Sequence, residues 1–453
     1  RRRRLIYGIS MKETFTNNVL IIFITRVFAA VFTVIITIII ARGLGPEKQG
    51  IYSLATLLSL TLLTFTVFGV NVSTVFYIGK KKYPPEVIFG NNIIFSALLS
   101  VLTLALGLAA VYFWGDRLFP GVDRAYLLLA LSIVPVNLFF SLASSVLIGL
   151  QEIRKYSLIS FLQVLFFLLF AVVLIPFLHL GIKAAILSQT LSYLVAGAVL
   201  FFMVKKETQR ISLKFNKDYF IDAIVYGFKN YIGGVLNYLH YRADMFLINV
   251  FMNPLAVGFY YVAVRMSEGI WLFSQSSSTI LFPRVASETD PKKLKDLTPL
   301  VCRNTLFVTF LIAAVLFALS HWLIVLFYSQ EFAVSVRPFQ ILLIGTVAMS
   351  GWIILINDLA ARGAPMINNY VMGISLLANI VLNIVYIPRL GIDGSAWSST
   401  VSYTISLIAT AIIYGRISGN KFTDIVFVKK SDFRYYKAPI AMVLNKLNIK
   451  FNG

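Results

Sequence analysis

Apolar runs of about 20 residues, the length a helix needs to cross roughly 30 Å of hydrocarbon, recur along almost the whole chain. Twelve can be placed, near 17–40, 51–77, 87–113, 125–149, 157–177, 182–204, 221–251, 258–282, 299–327, 338–361, 366–387 and 394–415. Clusters of glycine, proline and charge separate them, such as GLGPEKQG from Gly43, KKKYPPE from Lys80, FPGVDR from Phe119 and SETDPKK from Ser287. In lipid the backbone must satisfy its own hydrogen bonds, so runs of this kind fold as helices. The expected fold is all-α, a polytopic membrane protein of about 12 transmembrane helices. Only 13% of the 453 residues are charged, about half the share in a soluble domain. The connections are short and leave no room for a water-soluble catalytic domain.

Basic residues set the orientation. With the N-terminus in the cytoplasm, Arg42, Lys48, Arg117, Arg124, Arg337 and Arg389 are the only lysines and arginines outside. Lys80–Lys82, Arg154, Lys155 and the groups near 205–217, 284–295 and 416–453 all fall inside. The net charge of +21 is then a topology signal with an attraction for anionic lipids, and it calls for no nucleic acid. The residues before Met11, including Arg1 to Arg4, lack the h-region and cleavage site of a signal peptide, so the first apolar segment is expected to stay as a membrane helix. The expected organisation is a cytoplasmic N-terminus (1–16), an N-lobe of six helices (17–204), a cytoplasmic linker (205–220), a C-lobe of six helices (221–415) and a basic cytoplasmic tail (416–453). The tail is expected on the inner membrane surface, with disorder as the alternative.

The two lobes repeat one another. Pro46, Gly50, Tyr52 and Ala55 line up with Pro254, Gly258, Tyr260 and Ala263. Ile175-Pro176, Gly181-Ile182, Ser188, Thr190 and Ser192-Tyr193 line up with Ile387-Pro388, Gly391-Ile392, Ser398, Thr400 and Ser402-Tyr403. Two matches at nearly one offset indicate an internal duplication. Six helices per lobe keep both copies in the same orientation, a parallel repeat of the transporter kind with its site near midplane.

The pattern from Arg242 to Pro283, R-x-D-x-F-L-I…N-P…V-G-F-Y-Y-V-A-V-R…L-F-P, resembles the polysaccharide (O-antigen type) flippases. These belong to the multidrug/oligosaccharidyl-lipid/polysaccharide exporter superfamily. ARGLGPEKQGIY from Ala41 to Tyr52 and LGIDGSAW from Leu390 to Trp397 fit the same family. The resemblance implies a flippase that moves undecaprenyl-diphosphate-linked oligosaccharide units to the outer leaflet by alternating access around a cationic cavity. It implies no cofactor, and it leaves room for a coupling ion and a glycan polymerase partner. By motif, Arg26 and Arg265 correspond to arginines of the related peptidoglycan-precursor flippase, whereas a further arginine of that protein falls at Phe32.

The charges can also be read without the family. Arg265 and Glu268 are spaced to share a helix face, as are Asp358 and Arg362. Arg242 and Asp244 point apart, so each needs a partner elsewhere. The span of Arg26 holds no acid, and at 1.5 Å per residue the arginine lies about 14 Å into the membrane. Arg242 sits at a similar depth in its own span. Arginines at midplane suit a diphosphate, because a guanidinium grips phosphate bidentately and keeps its charge. The competing reading pairs Arg26 with Asp244 as a bolt between lobes. The expected substrate-binding set is Arg26, Arg242 and Arg265, with Asp244, Glu268, Asp358 and Arg362 as structural or coupling charges.

No catalytic or metal-binding residue is indicated. Cys302 stands alone, and His179, His240 and His321 are scattered. A cation-coupled multidrug exporter of the same superfamily would need acids in the first span, which has none. A membrane glycan polymerase or ligase would need a long outer loop, and no G-x-x-x-x-G-K-[ST] loop is present to use ATP.

Overall fold

The computed structural model describes residues 2–178, 180–288 and 290–433, and every regular element among them is helical. In chain order the helices are α1 (Arg2–Thr66), α2 (Val70–Gly79), α3 (Pro85–Leu118), α4 (Arg124–Ala130), α5 (Ile133–Gly149), α6 (Ile153–Leu178), α7 (Ile182–Thr208) and α8 (Lys217–Phe251). They continue with α9 (Pro254–Glu268), α10 (Trp271–Ser287), α11 (Pro291–Tyr328), α12 (Val336–Ala361), α13 (Met366–Leu390), α14 (Ile392–Ser418) and α15 (Phe422–Val426). Short 3-10 turns lie at Gln330–Ser335 and Lys430–Phe433.

The first two expected runs are arms of one element. α1 breaks at Gly45, whose φ of 76° is left-handed, and Pro46 opens the second arm with its fixed φ and missing N–H. Within the arms, the hydroxyls of Thr33, Thr61 and Thr64 donate to the carbonyl four residues back at 2.7–2.8 Å, so these three hydroxyl protons are paired within the helix. α9 restarts the chain in a similar way after α8. Asn253 Oδ1 accepts from the Ala256 N–H at 2.9 Å, which caps the helix that Pro254 begins.

Polar residues turn inward and apolar ones outward, the arrangement lipid demands. On α13, Asn379 and Asn383 are fully buried, whereas Ile374, Leu377 and Val381 are more than half exposed. On α14, Ser395, Ser398, Ser399, Ser402, Ser406 and Thr410 form a buried seam at helical spacing. Small hydroxylated residues of this kind let membrane helices approach closely. Tyr112, Phe113 and Trp114 are exposed near the end of α3, as expected of an interfacial aromatic belt.

Among the described residues nine helices are long and apolar enough to cross a membrane, with α1 counted once from Val27. α8, α9 and α10 are not among them. α8 carries Lys217, Asp218, Asp222, Arg242 and Asp244, and the expected run 258–282 is divided into helices of 15 and 17 residues. The protein is therefore a multi-pass membrane protein with the expected all-α architecture, but apolarity and length alone do not give twelve spans.

The chain divides into two compact units. The first contains the chain through Met266, Ser320–Phe339 and Asn379–Ser398, and the second contains Ser267–Leu319, Gln340–Ala378 and the chain from Ser399. In the first, Leu54, Ile88, Phe89, Leu127, Ile133, Val134 and Leu147 are fully buried where α1, α3, α4 and α5 meet. Here the two copies of the repeat touch. A Cβ on Gly50 would overlap the Pro254 carbonyl, and a Cβ on Gly258 would overlap the Pro46 carbonyl. The Pro-x-x-x-Gly starts of the second arm of α1 and of α9 thus cross at backbone contact, each glycine against the other copy's proline.

The second unit is held by charge at the end of α12. Asp358, fully buried, accepts from Thr298 Oγ1 and from Arg362 Nε, both at 2.6 Å. Arg362 also donates to the Leu294 carbonyl at 3.1 Å and lies over the Tyr414 ring. Cys302 is buried, its thiol directed at the Gly351 carbonyl. Part of the expected tail is folded against this unit. Arg303 holds Asp432 through two hydrogen bonds, at 2.5 and 2.8 Å, and donates to the Asp424 carbonyl at 3.1 Å. The remainder of the tail, 434–453, lies outside the described residues.

Candidate functional site

The site is assembled in the first unit by α8, α9 and the second arm of α1. Asp244, 1% exposed, is the acid at its base. Its Oδ2 accepts from the Tyr260 hydroxyl at 2.7 Å and its Oδ1 from the Met245 N–H at 2.8 Å, so the carboxylate binds α9 to α8. Tyr260 stands two residues after Gly258. Its repeat counterpart Tyr52 stands two after Gly50 and donates to Gln189 Oε1 at 3.0 Å, on α7. The duplication keeps the tyrosine donor and changes the acceptor from an amide to a carboxylate.

The same helices carry two arginines. Arg242 is half-buried and its Nη1 donates to the Tyr241 carbonyl at 3.1 Å. Arg265, also half-buried, lies 5.1 Å from the centre of the Tyr261 ring, a cation–π arrangement that orients the guanidinium plane. Both guanidiniums lie within electrostatic reach of the Tyr238 hydroxyl. That hydroxyl shares a hydrogen bond of 3.0 Å with Thr61 on α1. The charge of Arg265 also acts on the hydroxyls of Tyr52 and Tyr328. Arg242 and Arg265, 23 residues apart in the chain, thus both act on the Tyr238 hydroxyl.

The other expected residues are placed as follows. Arg26 belongs to the first arm of α1, and its side chain lies outside the described residues. Glu268 ends α9 and is half-buried. Asp358 and Arg362 form the ion pair of the second unit. His240 is fully buried on α8, with its ring 5.9 Å from that of Tyr241. Among the described residues no group of three or more His, Cys, Asp or Glu side chains is arranged to hold a metal. Sequence reasoning missed Tyr238, Tyr261 and Tyr328. Tyr260 was visible as a repeat position, though not as the partner of Asp244.

Chemically, paired guanidiniums among phenol hydroxyls suit an anion rich in acceptor oxygens. A guanidinium offers donors in a fixed fork and stays charged when partly desolvated. A cavity of about 410 Å³ in the same unit opens beside Asn253, where Arg337 pairs with Asp393 at 3.1 Å.

Known proteins share this architecture. The chain is 21% identical over 400 residues to the probable low-salt glycan biosynthesis flippase Agl15 of Haloferax volcanii, covering 86% of this chain and 81% of that one. It superposes on the lipid II flippase MurJ in an inward closed conformation with a TM-score of 0.75 and 16% identity, over 96% of this chain and 94% of that one. An inward-facing multidrug resistance MATE family transporter of the MOP superfamily gives a TM-score of 0.71 at 14% identity, over 86% of this chain and 94% of that one. These structural likenesses establish a transporter fold shared by flippases and drug exporters. Residues 39–337, well over half of the chain, match the polysaccharide biosynthesis protein family, and the chain belongs to it.

Proposed function

We propose that the protein carries a lipid-diphosphate-linked oligosaccharide from the inner to the outer leaflet of the plasma membrane by alternating access, with both termini in the cytoplasm. The observation that carries this reading is that Arg242 and Arg265 both act electrostatically on the Tyr238 hydroxyl inside a chain of the polysaccharide biosynthesis family. Two guanidiniums match the two negative charges of a diphosphate. The names of the relatives, a glycan biosynthesis flippase and a lipid II flippase, support the same class of cargo. Arg26, in the first arm of α1, would complete the anion site. The carrier in this reading is undecaprenyl diphosphate or a related polyprenyl diphosphate. A coupling ion, anionic lipids along the basic ends and a glycan polymerase receiving the product accompany it.

The fold alone is equally that of cation-coupled drug exporters. The charges favour the anionic cargo, because the buried acid Asp244 is engaged by Tyr260 while Arg242 and Arg265 both act on the Tyr238 hydroxyl. The family and the fold point to a transporter rather than an enzyme.

The test is glycan export in a strain lacking the chromosomal copy. Hydrogen bonds to charged groups contribute about 1.5–3 kcal/mol each, so Arg242→Ala and Arg265→Ala are each expected to lower export at least about tenfold at unchanged membrane abundance. Arg26→Ala is expected to do the same. Near-normal export by Arg242→Ala and Arg265→Ala would overturn the phosphate-binding role.

A further inference from the structure

The first unit contains a second and larger cavity, of about 540 Å³, at the end of the helices that carries Lys80, Lys81 and Lys82. Its walls come from α2, α5, α6 and α8. Four of its lining groups hold polar valences that the protein does not use: the Asn71 amide and the hydroxyls of Ser141, Tyr156 and Tyr226 make no hydrogen bond among the described residues. Two further hydroxyls are committed in one direction only. Ser144 and Ser145 donate to the carbonyls of Ser141 and Leu142 at 3.0 and 2.7 Å, leaving their lone pairs as acceptors. One wall is aromatic, with the Phe76 and Tyr226 rings stacked at 4.0 Å between centres and 16° between planes.

Among the described residues no charged side chain lines the cavity. Of the lysines nearby, Lys80 packs over the Phe76 ring at 5.9 Å and Lys82 is paired with Asp222 at 2.5 Å. A phosphate would therefore find no countercharge among the described lining residues. An acyl chain would strand the amide and hydroxyls without partners, a cost such groups impose when buried dry. The lining calls for a neutral ligand with many hydroxyls, each able to donate and accept, together with an apolar face to lie on a ring. A sugar has both. The volume lies within the 300–1,000 Å³ typical of small-ligand pockets, and aromatic walls with a few Ser, Tyr and Asn groups are their usual composition.

We propose that this cavity is a carbohydrate-binding site that receives part of the glycan while the carrier diphosphate is bound or loaded elsewhere. The proposal rests on the flippase reading above and adds to it a site for neutral sugar separate from the anion site. Tyr226 and Arg242 are 16 residues apart on α8, about 24 Å along its axis, so the two sites can be altered independently.

The experiment uses the full-length protein in nanodiscs. It compares binding of undecaprenyl diphosphate with binding of undecaprenyl-diphosphate-linked oligosaccharides built from N-acetylglucosamine, N-acetylgalactosamine or galactose and long enough to span the about 24 Å between the sites. The wild type is expected to bind at least one sugar-bearing lipid about tenfold or more tightly than the bare lipid, as a few added hydrogen bonds provide. A variant combining Asn71→Ala, Tyr156→Phe and Tyr226→Phe is expected to lose that preference and to bind the bare lipid as the wild type does. The two phenylalanine changes remove only an oxygen each, and thermal unfolding of the same sample shows that the fold is retained. Arg242→Ala should weaken all these lipids together. If the wild type shows no preference, or the triple variant keeps it, the sugar site is overturned and the flippase reading stands. If the wild type binds none of these lipids, the flippase reading falls and takes the sugar site with it.

Discussion

Asp244 shows how a single acid is tolerated in a setting that should exclude it. At 1% exposure its carboxylate keeps a 2.7 Å hydrogen bond from Tyr260 and one from the Met245 N–H. Removing one donor from a buried charged group costs more than the bond is worth in water, because the acceptor stays desolvated. Tyr260→Phe is therefore expected to destabilise the protein by about 1–3 kcal/mol. Tyr52→Phe, the same change at the equivalent position of the repeat, removes a bond to the neutral Gln189 amide and should cost about 1 kcal/mol. Thermal unfolding of the two variants in one detergent measures the order, and equal losses would show that charge at Asp244 is not what distinguishes the copies. The tyrosines could be matched in the sequence from their spacing after glycine. Their acceptors could not, because Asp244 lies 16 residues before Tyr260 while Gln189 lies 137 after Tyr52.

The duplicated Pro-x-x-x-Gly start is the most informative element. The sequence marks Gly50 and Gly258 as equivalent, but periodicity gives no sign that the two copies meet each other. They meet because only glycine lets the backbones come this close, with Pro46 and Pro254 presenting the facing carbonyls. Gly258→Ala must push the second arm of α1 and α9 apart. A cysteine pair placed at Glu47 and Leu255 should then crosslink at least about tenfold more slowly than in the otherwise unchanged chain, a difference equal to about 1.4 kcal/mol. An unaltered rate would mean that the crossing is looser than its geometry. The docked segment before the end of the chain was not legible at all, since a basic stretch with scattered apolar residues reads as a membrane-surface tail. Its anchor is one acid, Asp432, which two hydrogen bonds from Arg303 hold below the usual carboxylate range. A depressed value means that the link stabilises the docked state at pH values above about 3.9, the free aspartate value, and is lost as pH falls through the lower folded value. Tryptic cleavage at Lys429 and Lys430 should accordingly be slow at neutral pH in the wild type and fast in Asp432→Asn. Proteins briefly held at pH 5 and returned should match untreated wild type. Equal cleavage of wild type and Asp432→Asn would remove the anchor from the account.

At the scale of the whole molecule, the residues that make the site conspicuous are the ones that hide its helices from a hydropathy reading. α8 and α9 carry Arg242, Asp244, Arg265 and Glu268, and neither stands among the nine helices apolar and long enough to span. Length argues the other way. At 1.5 Å per residue the 35 residues of α8 extend about 52 Å, more than the roughly 30 Å of hydrocarbon. The charges of α8 and α9 are affordable because Asp244 is satisfied inside the protein and Arg265 lies on a tyrosine ring rather than in lipid. α8 is therefore expected to cross the membrane, and the positive-inside distribution then fixes its ends. Single cysteines tested with a membrane-impermeant maleimide decide it, since native Cys302 is buried. Cysteines replacing Lys82, Arg210 and Lys292 should label only from the cytoplasmic side, and those replacing Arg124 and Asn253 only from outside. Labelling of the Asn253 position from the same side as Arg210 would mean that α8 does not cross, and the twelve-helix arrangement would have to be abandoned.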